Sequence, residues 1–321
     1  MYDYFMEKLV WQMFILGSDN LNEILLRGLG GVIFFTKDIT NENEFKKFIQ
    51  DIKHQAIIPP FLAIDQEGGR VERTENIYPR KLSARDAFKK SENFLRSQAS
   101  QISKELSMLG INLNFAPCVD VNTNPNNPII GERAFADNPN DVISGMDIYI
   151  NEFRKNKIIP CVKHYPGHGD ADKDSHLTLP CIDLPLFEME EIHIKPFRHA
   201  IVNNIEMIMA AHLHCTCFDK EPIPTSLSYN ALNYLRNTLG YKGVIISDDM
   251  VMNGVNGFDS LAAIIQGVKA GLDMFIFRDS SEKTLNIISN FCAEVKKDKE
   301  LQEKVALANQ RIMDLKSRYI I

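Results

Sequence analysis

The sequence predicts a single (β/α)8 barrel of the TIM type, and three observations carry that prediction. Short apolar, β-branched runs recur along the whole chain: GVIFF (31–35), PFLAID (60–65), INLNFAPCVDV (111–121), IIPCVKHY (158–165), EMIMAAH (206–212), KGVIISDD (242–249) and LDMFIF (272–277). Stretches with helical spacing lie between them. Polar and charged residues collect at the C-terminal ends of the runs. Runs this apolar are expected of strands buried on both faces, and strand alternating with helix implies parallel pairing through right-handed crossovers. The runs leave one barrel strand unassigned, expected within 71–90 or near 290. The competing architecture is an open doubly wound sheet. Its dinucleotide fingerprint is missing, because GLGG (28–31) precedes a strand instead of following one. With no internal repeat, low-complexity tract or linker composition, one domain is expected over 1–321, ending in a helical segment from about 280 onward.

Taken in order, the opening MYDYFMEKLVWQMFILGSDN reads as an amphipathic helix. Asp3, Glu7 and Lys8 interrupt it and argue against a signal peptide. Leu95, Ala99, Ile102, Leu106 and Leu109 step at helical intervals, and Gly110 is placed as the C-cap. Val142, Met146, Tyr149 and Phe153 form a second stripe, and 186–203 a third, with Pro196 inside it. The charged end KKDKELQEKVALANQRIMDLKSRY reads as a terminal helix with a solvated face.

Bulk properties narrow the function. In 321 residues, 45% hydrophobic and 24% charged content is ordinary for a globular protein with one large core. A net charge of -6 gives no basic footprint for nucleic acid or an anionic membrane, and no segment approaches the length of a membrane span. Six cysteines (118, 161, 181, 215, 217, 292) form no CxxC pair. They read as reduced thiols, which favours a cytoplasmic location. Nothing demands an oligomer, so a monomer is expected.

The strand ends carry the candidate chemistry. IDQEGGR, DVNTNP, KHYPGHG, AHLH and SDDM follow successive runs, and in a parallel barrel they emerge on one face, where active sites sit. Asp248 and Asp249 end VIISDD. By strand alternation only one should point inward, leaving the other to cap the next helix; a pocket-facing ionised carboxylate could attack an electron-poor carbon. In DQEGGR, Asp65 can accept from hydroxyl groups while Arg70 donates, unless both simply face water in a βα turn. Glu67 reads as a partner within that loop. Arg133, in IIGERAF, would alone be an ordinary surface arginine.

Residues 163–176, KHYPGHGDADKDSH, are the densest cluster. Lys163 and His164 end a strand and should point into its mouth. His168, Asp174 and His176 lie beyond Gly167 and Gly169, on a loop expected to be flexible. A zinc site built on His164, His168, Asp174 and His176 is one reading, weakened by the adjacent Lys163 cation and by ligands on a mobile segment. Histidines satisfied by local hydrogen bonds are a second. A general acid/base is the third: Asp174 and His176 would share a face of an extended segment, the carboxylate fixing the imidazole tautomer while the other nitrogen delivers a proton. Of His212 and His214, His212 is the one expected to face the pocket, with satisfaction of a strand-end carbonyl as the alternative.

Taken together, KHYPGHG followed by DSHLTLP, with VIISDDMVM, DQEGGRVER, IGERAF and AGLDMF, resemble a glycoside hydrolase family 3 β-N-acetylhexosaminidase of the bacterial peptidoglycan-recycling type. The resemblance runs in order from about residue 5 to 280. It implies Asp248 as catalytic nucleophile, His176 as acid/base with Asp174 as its partner, and Asp65, Arg70, Arg133, Lys163 and His164 as residues holding the sugar. The implied substrate is a terminal, non-reducing β-linked N-acetylglucosamine on a muropeptide or chitooligosaccharide, with no cofactor or metal. The implied reaction is a double displacement with retention, in which histidine replaces the usual second carboxylate. Gly167 and Gly169 are expected to hinge a loop that closes over bound sugar. A substrate-assisted reaction, β-glucosidase or β-xylosidase specificity, transfer to phosphate, a zinc-dependent barrel hydrolase and a silent sugar-binding protein are the alternatives.

Overall fold

The structure, a computed structural model, describes residues 2–171, 179–252, 255 and 259–321. Eight strands close into a parallel barrel: β1 (Phe14–Gly17), β2 (Gly31–Phe34), β3 (Phe61–Ile64), β4 (Leu113–Asn114), β5 (Ile159–Tyr165), β7 (Met207–Ala210), β9 (Val244–Asp249) and β10 (Met274–Phe277). Two short strands, β6 (Cys181–Ile182) and β8 (His214–Cys215), pair in parallel outside it. The seven apolar runs each supply a barrel strand.

The eighth strand lies in neither expected place. It is β1, inside the opening segment read as a helix throughout. The helix covers only Tyr2–Gln12, and Phe14–Gly17 then pairs with β10 on one side and β2 on the other. Four consecutive fully buried residues in β1 are what a strand enclosed on both faces requires. The preceding apolar helix hid the change of period.

Helices pack their apolar stripes on the outside of this barrel. Glu92–Leu109 buries Leu95, Ala99, Ile102, Leu106 and Leu109 and ends at Gly110 in the left-handed region, φ 84°. Pro139–Lys155 buries Val142, Met146, Tyr149 and Phe153. The third stripe is broken: a short turn at Leu186–Glu188 and a π-helical turn at Met189–His193 precede the helix Lys195–Val202, with Pro196 in its first turn. Proline is tolerated there because the N–H it lacks would have no helical acceptor. Glu282–Lys297 and Lys299–Tyr319 close the chain. Among the described residues, no helix is long and apolar enough to cross a membrane.

Candidate active site

Two local departures from regular pairing shape the C-terminal rim. Between β5 and β7 the register runs from Val162↔Ile208 to Tyr165↔Ala210, so Lys163 and His164 together face the one residue Met209. Between β10 and β9 it runs from Met274↔Ile246 to Ile276↔Asp249, giving Ser247 and Asp248 the same two-against-one arrangement. Such bulges re-aim side chains at barrel rims. Here they let consecutive residues reach one cavity. Lys163 and His164 both line it, and so do Asp248 and Asp249. The expectation that only one aspartate could face inward fails for this reason, since strict alternation holds only for an unbroken register.

The cavity, about 230 Å³, has a wall of interlocked charges. Lys163 Nζ lies 2.6 Å from both Asp65 Oδ1 and Glu67 Oε1. Glu67 also takes Arg133 through two contacts, 2.9 Å from Nε and 2.8 Å from Nη2. Burial alone would neutralise Glu67, Lys163 and Arg133, yet each is pushed toward its charged form. Burial opposes ionisation of Glu67, but Arg133 and Lys163 hold its pKa far below the usual range. Burial likewise opposes protonation of Lys163, and Asp65 and Glu67 raise its pKa above the ordinary lysine value. Charges this deep persist only as a mutually neutralising set. Glu67 is thus the hub that keeps Arg133 and Lys163 in place, and Asp65 presents the remaining acceptor edge to the cavity.

A second buried carboxylate organises the histidines. Asp120, fully enclosed, accepts from the backbone N–H of His164 at 3.2 Å and of His168 at 2.6 Å through Oδ1. Its Oδ2 meets His164 Nδ1 at 2.7 Å and the Cys118 thiol at 3.2 Å. Arg133 Nη2 lies 3.3 Å from His164 Nε2. An arginine can only donate, so Nε2 is the acceptor and Nδ1 carries the proton toward Asp120. Burial would raise the pKa of Asp120, but the His164 and His168 contacts hold it well below the carboxylate range. Gly169 completes the fit: a Cβ there would stand 1.7 Å from the Val121 carbonyl oxygen. Thr123 Oγ1 donates to Asp170 Oδ1 at 2.8 Å. Up to Ala171 the loop is therefore tied down, and Gly169 serves close packing.

The two aspartates of β9 have different environments. Asp249 accepts from Val251 N at 3.1 Å and pairs with Arg278 through its other oxygen. Asp248 accepts only from the Asp249 N–H, at 2.8 Å, among the described residues. Burial works to raise the pKa of Asp248, but His164, His212, that N–H and Lys163 outweigh it, so the carboxylate stays ionised. His212 lies behind the cavity, with Nδ1 2.7 Å from Ser226 Oγ and Nε2 3.2 Å from the Asp249 carbonyl oxygen. The strand-end alternative describes it, and the expectation that it faces the pocket does not hold.

Of the residues singled out from the sequence, Asp65, Arg133, Lys163, His164 and Asp248 meet around one cavity. Arg70 does not join them. It is exposed and donates to the carbonyls of Pro128, at 2.9 Å, and Ile129, bracing the loop that delivers Arg133. Asp174 and His176 lie outside the described residues. Asp120 was missed, since an aspartate in a strand-end turn carries no distinguishing sequence signal. Arg73 and Arg278, also on the cavity wall, were missed for the same reason. In the zinc set, both ring nitrogens of His164 are already engaged. Cys118, Asp120 and His164 do place ligand atoms within 4.8 Å of one another. Their 2.7 and 3.2 Å separations are hydrogen-bond lengths, shorter than the roughly 3.3 Å edge of a tetrahedron with ~2 Å zinc bonds. Burial also pushes the Cys118 thiol well above its ordinary value, keeping it protonated.

The rim thus sets an ionised carboxylate beside fixed donors and acceptors. A model described as the glycosyl hydrolase family 3 N-terminal domain matches residues 7–315, and the chain belongs to that family. It is 32% identical to a β-hexosaminidase A from Pseudoalteromonas piscicida over 93% of this chain and 55% of that protein. A β-hexosaminidase from Psychromonas ingrahamii is 31% identical over 84% of this chain and 81% of its own. The solved family 3 β-N-acetylglucosaminidase from Paenibacillus sp. str. FPU-7 superposes with a TM-score of 0.92 at 29% identity, over 98% of this chain and 62% of that one. The chain thus spans a little over half the length of the first of these relatives.

Proposed function

We propose that the protein is a retaining exo-β-N-acetylglucosaminidase that removes terminal, non-reducing β-linked N-acetylglucosamine, with muropeptides of cell-wall recycling as the natural substrates. The relatives named as β-hexosaminidases support the sugar class. The observation that carries the mechanism is Asp248: it is half-buried and stays ionised and, among the described residues, no side chain pairs with it. Such a carboxylate is poised to act as a nucleophile.

In the first step an Asp248 oxygen bonds to the anomeric carbon as the bond to the aglycone oxygen breaks, and His176 gives its proton to that oxygen. In the second, His176 takes a proton from water, whose oxygen displaces Asp248 and regenerates the carboxylate. Asp174 supports the imidazolium. Asp65, Lys163, His164 and Arg133 bind the hydroxyl groups, and Arg70 acts through the 128–129 loop. A cavity near 230 Å³ lies below the ~300–1,000 Å³ of drug-sized sites, which suits one sugar ring. In the substrate-assisted alternative the Asp248–Asp249 pair would orient and polarise the acetamido group, and both oxygens of Asp249 are already held by Val251 N–H and Arg278.

The test is a side-by-side rate measurement on N-acetylglucosaminide, glucoside and xyloside with one leaving group, with and without phosphate. Preference for the first, unaffected by phosphate, is expected. A faster glucoside, or turnover that requires phosphate, would contradict it.

A further inference from the structure

At the opposite end of the barrel, between the turn entering β9 and the last helix, lies a second cavity of about 270 Å³ that the proposed mechanism does not use. Its charged lining is unbalanced. Arg236, Lys242, Lys304 and Arg311 face a single carboxylate, Asp273, and Asp314 opens on the adjoining groove instead. Asp273 is 1% exposed and already fully engaged: Oδ1 accepts from Arg311 Nη1 at 2.8 Å, and Oδ2 takes Arg236 Nη2 and the Ile245 N–H, the latter at 2.8 Å. Burial is the largest influence on Arg236 and, with Arg311 beside it, outweighs Asp273, so its pKa falls below the ordinary arginine value. One carboxylate is too few for two guanidinium groups. The lysines add to the excess. Among the described residues Lys242 has no hydrogen-bond or ion-pair partner, and Lys304 Nζ reaches only the Lys269 carbonyl oxygen, at 3.4 Å.

We propose that this cavity binds a small phosphate-bearing anion, held by the unengaged edge of Arg311 and the ammonium groups of Lys242 and Lys304. Arg236 stands behind the site as a fixed charge, because Nη1 is committed to the carbonyls of Gly243 and Tyr241, at 2.6 and 3.3 Å, and Nη2 to Asp273. Arg311 uses only Nη1 among the described residues, so the rest of its planar fork is free for a tetrahedral oxyanion. A cleft lined by one sign of charge concentrates the opposite ion, and here it does so in a chain whose net charge is -6. The volume lies below the ~300–1,000 Å³ of drug-sized sites, which suits one or two phosphoryl groups and not a whole nucleotide. The site is independent of the glycosidase reading.

The test titrates isotope-labelled wild-type protein with pyrophosphate and with phenyl phosphate at constant ionic strength, following the backbone amide resonances. Those of 236–243 and 304–311 should shift saturably with a Kd of about 1 mM or below, while chloride at the same ionic strength should leave them unmoved. The tighter of the two ligands tells whether the anion is inorganic or a phosphate ester. Lys242→Gln combined with Lys304→Gln should weaken binding about tenfold or more. Neither lysine has a carboxylate partner among the described residues, so the double variant should keep the wild-type unfolding midpoint, and the wild-type titration stands whether or not it does. Shifts absent up to about 10 mM ligand, shifts confined to 163–171 at the other end of the barrel, or a folded double variant that binds within about twofold of wild type would overturn the proposal.

Discussion

Two lysines are buried at opposite ends of the barrel, Lys163 2% and Lys316 0% exposed, and the protein treats them in opposite ways. Lys163 stands at the C-terminal rim between Asp65 and Glu67, and its pKa is raised despite burial. Lys316, on the last helix, reaches the other end beside the start of β1 and β3. Its Nζ lies 2.7 Å from Gln12 Oε1 and 4.9 Å from the centroid of the Phe61 ring. Among the described residues no carboxylate pairs with it, and burial pulls its pKa down to about 7. The rim therefore uses carboxylates to keep its buried cations ionised. The base tolerates a weakly charged plug that ties the terminal helix to the barrel floor. That division matches the general one in barrels of this type, catalysis at the C-terminal face and stability at the other.

The sharpest way to break the comparison is to remove function from each end. Asp248→Asn should lower kcat by about a thousandfold or more, whereas Lys316→Met should leave kcat/KM within about twofold; steady-state kinetics on one chromogenic substrate decides both. Next comes Glu67→Gln, which leaves Lys163 and Arg133 facing each other. Removing one partner of a buried charge set costs about 3–5 kcal/mol, so denaturant unfolding should show a loss of that order. Asp120→Asn should lower kcat/KM about a hundredfold, because His164 and His168 lose their shared anchor; a variant with wild-type kinetics would remove Asp120 from the site.

The smallest effect is also the most diagnostic in pH. Lys316 has a folded pKa of about 7 against the usual 10.5, so between these values the unfolded chain binds more protons. Stability should therefore rise as pH increases from about 7 toward 10.5. Lys316→Met should abolish that rise and gain on the order of 2 kcal/mol at neutral pH. The rim behaves differently. Glu67 and Asp120 have depressed folded values, so their contribution is complete above about pH 4–5, near the unfolded carboxylate pKa, and is lost as pH falls. Lys163, whose folded value is raised from the usual 10.5, contributes in full below that usual value and loses its contribution as the pH rises beyond it. Unfolding free energies measured from pH 3 to 10.5 on both proteins separate these windows.

How much of this was legible beforehand follows the same division between local and tertiary causes. Seven strands were readable because burial on both faces leaves an unbroken apolar run, and Glu92–Leu109 because its stripe and Gly110 agree. β1 was not, because it follows an apolar helix after only Met13. The cavity's location at strand ends was readable from residue types alone. The access of both Asp248 and Asp249 to it was not, since the register shift on β9 is set by its pairing with β10. Lys316 was readable in principle: it lies four residues after Ile312 and seven after Asn309, on the buried face of the last helix. Its burial depends on the floor contacts with Gln12 and Phe61, which come from the far end of the chain.

The central claim is that Asp248, and not its neighbour, attacks the sugar. The most direct measurement is to trap the enzyme with a fluorinated N-acetylglucosaminyl donor that slows the second step, digest it, and locate the adduct by peptide mass analysis. The account predicts one covalent sugar, on Asp248, formed in a burst with release of the leaving group. An adduct on Asp249 or elsewhere, or turnover of the donor with no adduct at any residue, would contradict it.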